Sequence, residues 1–177
     1  MPGNLSNATS IFGSNDIHGY SITNGSGKGF IANTYIADFG NKGAWQQLAL
    51  AGFINGVYQG ESQAVQIGTT FPVSKFSSTA TFMFYSSTLW NNYPSFNSLA
   101  FCGATGLGIN VTLITSRDSM RLDSKIDDGL PYMGKMICYY NCASVQYASS
   151  PSHTLPYLPS DSALCTCQFA LEGNTFI

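Results

Sequence analysis

Two adjacent carboxylates stand in the most informative stretch of the chain, Lys125-Ile-Asp-Asp-Gly-Leu-Pro-Tyr-Met-Gly-Lys135. Carboxylate oxygens bind hard cations, and a pair of carboxylates can also act as general acid and base. Neighbouring residues on a strand point in opposite directions, so Asp127 and Asp128 are poorly placed to flank one bond. In a turn, both side chains can instead accept hydrogen bonds from backbone N–H groups. We therefore predict a structural corner that holds no metal, with calcium bound at Asp127 and Asp128 as the alternative.

The other residues of this stretch also favour a turn. Gly129 can adopt a positive φ, and Pro131 sets its own φ while it pushes Leu130 towards extended geometry. The apolar residues 136–140 that follow predict a strand. The turn motif comprises Lys125, Asp127, Asp128, Gly129, Pro131 and Gly134.

The cysteines form two clusters with C-x3-C and C-x-C spacings. The five residues are Cys102, Cys138, Cys142, Cys165 and Cys167. A four-thiolate zinc site from the last four, with His153 as a spare ligand, is one interpretation, but C-x-C is poorly shaped to hold one ion with both sulfurs. Bridges within either cluster are strained or tight, so we predict at least one disulfide between the clusters. Cys102, in an apolar run, is then the unpaired thiol and a small buried hydrophobe.

No other residues form a recognisable catalytic group. His18 and His153 are the only histidines, and neither stands in a nucleophile context. The run Gly25-Ser-Gly-Lys-Gly29 lacks the spacing of a phosphate loop and a preceding apolar strand. We therefore predict a protein that is not an enzyme and uses no cofactor.

The composition excludes several classes of protein. Charged residues make up 9% of the 177 positions, against roughly 25% in an average domain, while hydrophobic residues make up 44%. Such a chain is too hydrophobic to be disordered, and its length suits one domain, residues 1–177. A net charge of −2 without a basic run disfavours nucleic acid as a partner.

Hydrophobic patterning predicts an α+β domain with one antiparallel sheet, a short helix and long loops. A helix is expected over 38–54, where Trp45, Leu48 and Gly52 share one packing face and Trp45 anchors the sheet. A second short helix is expected over 116–123. Alternating or apolar runs predict strands at 78–85, 97–102, 110–114 and 136–140, and an edge or covering strand near the end of the chain.

Several sequence blocks resemble one family. The run from Lys125 to Lys135 is similar to the turn that closes the globular head of bacterial type IV pilin-like proteins, the prepilins and type II secretion pseudopilins, which often carry K-I-D-D-G-x-P-x-x-G-K. Three further blocks occur in the family's order: Met1-Pro-Gly-Asn-Leu-Ser-Asn-Ala8 with Phe12-Gly13, then Asn24-Gly-Ser-Gly-Lys-Gly29, then Trp45-Gln-Gln-Leu-Ala-Leu-Ala-Gly-Phe-Ile-Asn-Gly-Val-Tyr-Gln-Gly60 followed by Pro72-Val-Ser-Lys75. Asn4 and Lys28 stand where the family often has Asp, which weakens any calcium site in the Gly-rich loop.

This resemblance implies a structural subunit of a type IV pilus-like or type II secretion pseudopilus filament, on the surface or in the periplasm of a Gram-negative bacterium. The implied partners are copies of the chain or other pilins, and the alternative is an adhesin-type head that binds carbohydrate or protein. Family members begin with a long apolar helix, and this sequence begins where that helix would end. We expect the helix to have been removed or to be supplied by a separate short subunit, as in split pilins, with membrane contact only through it. An apolar stripe near Phe82, Phe84 and Val111 is then expected to be uncovered.

Overall fold

The computed structural model describes residues 3–27, 29, 31, 39–60, 66–86, 97–105, 108–143 and 155–171. The helices are α1 (Ala8–Phe12), α2 (Phe39–Leu50) and α3 (Ser116–Ile126). The strands are β1 (Ala80–Ser86), β2 (Asn97–Thr105), β3 (Gly108–Val111), β4 (Ile114–Thr115), β5 (Met136–Tyr140) and β6 (Leu164–Ala170). The molecule is therefore an α+β protein, as the patterning predicted. None of the helices in the described ranges is long and apolar enough to cross a membrane.

All six strands pair antiparallel in one open sheet. β2 pairs with β1 along one edge, and with β6 and β3 along the other. β6 in turn pairs with β5 on one side, and with β2 and β4 on the other. The short strands β3 and β4 thus lie where β2 and β6 diverge. The C-terminal strand was expected at an edge or as a cover, and the structure places it in the interior of the sheet instead.

The two faces of the sheet are covered by different helices. Met83, Ala100 and Cys102 lie in a buried cluster with Trp45 of α2 and with Phe71. On the opposite face, the four paired cysteines and Met136 lie in a second cluster, against which Met120 and Leu122 of α3 pack. Burial of these apolar side chains is the main force that holds the helices on the sheet.

Helix α2 ends earlier than its pattern suggested. The N–H groups of Gly52 and Phe53 donate to the carbonyls of Ala49 and Leu48, both at 3.0 Å, and Gly52 has φ 77°. These bonds form a Schellman motif, in which a glycine in the left-handed region terminates a helix. Gly52 is therefore a stop signal beyond the helix and not part of its packing face, whereas Trp45 and Leu48 do face the core.

Helix α3 begins with a capping residue and continues past the predicted end at 123. The Thr115 hydroxyl accepts a hydrogen bond from the Asp118 N–H at 3.1 Å, and Asp118 places negative charge near the helix N-terminus, where it is favourable. The buried residues of this helix are Ser116, Ser119 and Asp123. The face of α3 nearest the sheet therefore carries small polar residues, flanked by the partly buried Met120 and Leu122.

Candidate functional site

An apolar groove lies where α3 stops covering the sheet. It encloses about 320 Å³ and is lined by Ser74, Phe76, Phe82, Phe101, Ile114, Leu122, Cys167 and Phe169. Phe82 and Phe101 are partners across β1 and β2, with ring centroids 5.0 Å apart. Phe76 meets Phe101 edge-on at 5.5 Å and is 68% exposed. Strand residues and Leu122 of α3 form most of the walls, whereas the rim carries the solvent-exposed aromatic ring of Phe76.

The groove corresponds in part to the apolar stripe expected from the sequence. Phe82 lines it. Phe84 is instead used for internal packing, because its ring lies 4.8 Å from that of Trp45. The side chain of Val111 lies outside what the structure describes. Leu122 and Ile114 close the side nearest α3 and could not be assigned to this surface from sequence, since their position depends on how the helix docks.

A second cavity, of about 270 Å³, lies between the N-terminal loops and α2. Its lining is Asp16, Ile17, His18, Gln46, Ala49, Leu50, Gly56, Val57 and Tyr58. The Asp16 carboxylate accepts hydrogen bonds from the backbone N–H groups of His18 and Tyr20, both at 2.9 Å. Among these lining residues Tyr58 carries a hydroxyl, and it donates to the Asn55 carbonyl at 3.3 Å. His153 lies outside the described residues.

The acidic corner, which we define as Asp123 and residues 127–136, connects α3 to β5. The Asp127 carboxylate accepts hydrogen bonds from the N–H groups of Lys135 and Met136, the latter at 3.0 Å. The Asp128 carboxylate accepts one from the Leu130 N–H at 2.8 Å. Both aspartates therefore bond to backbone N–H groups of the turn, and this is the geometry expected of a structural corner.

Two glycines and a proline complete the corner. Gly129 and Gly134 have φ of 76° and 79°, in the left-handed region that favours glycine. At position 134 a Cβ atom would also overlap the Asp127 carboxylate, so only glycine allows that carboxylate to reach the backbone. Pro131 is buried, and its carbonyl accepts a hydrogen bond from the Cys138 N–H at 2.8 Å. Lys125 is exposed on the last turn of α3.

Asp123 joins this corner from α3 and was not identified from the sequence. It is fully buried, and its Oδ2 accepts a hydrogen bond from the Tyr157 hydroxyl at 2.8 Å. Burial is the largest effect on the pKa of Asp123 and raises it to about 7. The hydrogen bond from Tyr157 and the backbone of Gly129 lower this pKa, whereas the nearby carboxylates of Asp128 and Asp127 raise it. Burial also raises the pKa of Tyr157. Carboxylate oxygens of Asp123, Asp127 and Asp128 lie within 4.8 Å of one another.

The cysteines of the two clusters are paired with each other. Cys138 bonds to Cys167, and Cys142 bonds to Cys165, in agreement with the predicted pairing between the clusters. The four sulfur atoms are thereby used, and none is left for the zinc alternative. Cys102 keeps a free buried thiol, and burial raises its pKa to about 12. Such a thiol is almost entirely protonated at neutral pH and therefore unreactive.

Comparison with known proteins adds no assignment. The chain matches no family of known proteins, no curated protein and no solved structure. Its function must therefore be inferred from the groove, the corner and the disulfides themselves.

Proposed function

We propose that this chain is the globular head of a filament subunit, of the kind found in type IV pili or type II secretion pseudopili. The observation that carries the proposal is the apolar groove beside α3. In this proposal the groove receives an apolar helix of a neighbouring subunit, and the protein has a structural role without chemistry of its own. The disulfides support an oxidising compartment, such as the periplasm or the surface of a Gram-negative bacterium.

The chemistry of the groove favours an apolar protein segment as its occupant. Among the lining residues only Ser74 has a polar side chain apart from the bonded sulfur of Cys167. A helix in such a groove would present side chains at three- and four-residue spacings to Phe76, Phe82 and Phe169. Burying an exposed Phe side chain contributes roughly 1.5–3 kcal/mol, so Phe76, which is 68% exposed, should contribute strongly to assembly.

The contacts among the N-terminal sequence blocks also support the resemblance to pilin-like heads. The Gly3 N–H donates to Gln47 Oε1 of α2 at 2.6 Å. The Gly25 N–H donates to the Leu5 carbonyl at 2.7 Å, and a Cβ at position 25 would overlap the backbone of Asn4. The three N-terminal blocks on which the resemblance rests are therefore neighbours in space, as parts of one shared motif should be.

An adhesin-type head is the second candidate, and the polar cavity favours it. Asp16, His18, Gln46 and Tyr58 combine hydrogen-bonding groups with an aromatic ring, a combination that suits a sugar better than the apolar groove does. Glycan-array binding that is lost in Tyr58→Ala and retained in Phe76→Ser would favour this second function.

The filament proposal can be tested by site-specific photocrosslinking. A benzoylphenylalanine is placed at position 76 in the groove rim or at position 53, where Phe53 is 77% exposed and does not line the groove. In cells that make the native protein we expect a ladder of adducts from position 76, mapped by peptide mass spectrometry to an apolar helix of another pilin subunit. Position 53 is the matched control. Only monomeric protein at position 76, or equal crosslinking at both positions, would contradict the proposal.

A further inference from the structure

We propose that the acidic corner binds a calcium ion through the carboxylates of Asp123, Asp127 and Asp128. The inference goes beyond the proposed filament role and does not depend on it. Ligand oxygens that share one calcium ion at about 2.4 Å can be separated by no more than about 4.8 Å. The three carboxylates of the corner satisfy that limit.

A buried oxygen without a partner points to a ligand at this position. Asp123 has no solvent-exposed surface, and its Oδ1 has no hydrogen-bond partner in the described part of the chain. An unsatisfied carboxylate oxygen in the interior is costly, and native proteins usually satisfy it with a donor, a water molecule or a cation. The Gly129 backbone also interacts with the Asp123 carboxyl group, and Oδ1 is the oxygen of that group that has no hydrogen-bond partner among the described residues.

The charge distribution around α3 supports a cation rather than a neutral ligand. Asp127 is the C-cap of the helix and Asp123 lies in its last turn, where the helix dipole disfavours negative charge. The ion pairs in the described ranges are Arg117 with Asp161 and Arg121 with Asp118, so neither involves the three carboxylates. A divalent cation would offset both the mutual repulsion of the carboxylates and the dipole.

Exposure increases across the site in a way that suits calcium. Asp123 is buried, Asp127 is half-buried and Asp128 is exposed, so water can complete the coordination from the outer side. Calcium tolerates such irregular sets of six to eight oxygens, whereas magnesium requires near-octahedral geometry at about 2.1 Å. The Tyr157 hydroxyl donates to Oδ2 of Asp123 and thereby orients the carboxylate, as residues next to a metal ligand commonly do.

Terbium luminescence tests the site directly, because Tyr157 bonds to Asp123 and can sensitise a bound lanthanide. With the native chain we expect saturable emission that calcium displaces and that magnesium displaces at least about tenfold less well. Asp128→Asn keeps an oxygen for the Leu130 N–H and removes one charge, so the dissociation constant should rise at least about tenfold. Asp123→Asn, which keeps an acceptor for Tyr157, should do the same.

Asp118→Asn is the matched control, since it removes an equal charge from the exposed N-terminal turn of the same helix. It should leave terbium and calcium affinity unchanged. Absence of displaceable emission in the native chain, or an equal loss in Asp118→Asn, would overturn the site. Equal competition by magnesium would overturn the assignment to calcium. Circular dichroism of each variant establishes that a loss of binding is not a loss of folding.

Discussion

The two end regions of the chain are held together internally by different kinds of bond. In the N-terminal region, residues 3–27 and 39–60, buried amide side chains of α2 hold the loops: Gln46 donates to the Ser21 carbonyl at 3.2 Å, and Gln47 accepts from the Gly3 N–H. The C-terminal region, residues 114–143 and 155–171, is held by two disulfides and by the apolar cluster beneath α3. The comparison shows that loops with few apolar residues are held by polar bonds, whereas the region next to the groove is covalently fixed.

Removing the disulfides should have the largest effect on stability, and this effect should be confined to the C-terminal region. The bridges span sequence separations of 29 and 23 residues, so each should contribute about 3 kcal/mol on the chain-entropy estimate. We expect Cys138→Ser/Cys167→Ser and Cys142→Ser/Cys165→Ser each to lower the free energy of unfolding by about that amount. Hydrogen exchange should increase in β5, β6 and α3 before it increases in α2. Equal loosening of α2 would show that the two regions are not independent.

The converse experiment is to remove a buried amide. Gln47→Ala leaves the Gly3 N–H without its acceptor, and Gln47 is only 3% exposed. We expect a loss of about 2 kcal/mol in the free energy of unfolding, from an unsatisfied buried donor and a lost hydrogen bond. Exchange should increase in residues 3–27, with the disulfide-linked strands unaffected. Gln66→Ala, whose side chain is exposed, is the control and should change stability by less than about 0.5 kcal/mol.

A pH titration in chelating buffer should reveal the buried carboxyl of the C-terminal region. The pKa of Asp123 is raised from 3.8 to about 7 in the folded protein, so the native state holds this proton more tightly than the unfolded state does. The corresponding stability is fully present below about pH 4 and is lost as the pH rises to about 7, a decrease of up to about 4 kcal/mol.

Asp123→Asn should remove this dependence while Asp118→Asn retains it, with denaturant unfolding at several pH values as the measurement. A stability that is flat between pH 4 and 7 in the native chain would contradict the raised pKa. In chelating buffer the Asp123→Asn variant should be at least as stable as the native chain at pH 8, because it no longer buries a charge.

The smallest effects are expected from the exposed ion pairs of α3. Arg121 and Asp118 are 3.1 Å apart, and both side chains are more than half exposed. Arg121→Gln should therefore change the free energy of unfolding by less than about 0.5 kcal/mol. Arg117 is more covered and also donates to the Pro159 carbonyl at 3.1 Å, so Arg117→Gln should cost more than Arg121→Gln. Chemical denaturation of both variants in low and high salt measures the difference.

Much of the fold could be predicted where local chemistry decides it. The strand Met136–Tyr140 has its predicted bounds because glycine and proline turns precede it. The predicted pairing between the cysteine clusters is found because Cys138 on β5 lies opposite Cys167 on β6, and Cys142, in the turn after β5, bonds to Cys165. The aspartates of the corner bond to their own turn for equally local reasons.

The remaining features depend on tertiary packing. Nothing in the sequence distinguishes buried Asp123 from exposed Asp118, because only the docking of α3 against Tyr157 separates them. The groove likewise depends on where α3 stops covering Phe82 and Phe101. The short helix α1 lies in a stretch for which no helix was predicted, since five residues carry too little periodicity to be recognised.

The interior position of β6 has a consequence for how the protein matures. Residues 164–170 emerge last from the ribosome among the strands described, yet β2, β4 and β5 all hydrogen-bond to them. Until they arrive, Cys138 and Cys142 have no correct partner, and Cys102 is a competing thiol that becomes inaccessible only when the sheet closes. Disulfides that form before residues 164–170 have been made therefore cannot be the native ones. Such bonds must be exchanged before the pairs Cys138–Cys167 and Cys142–Cys165 can form.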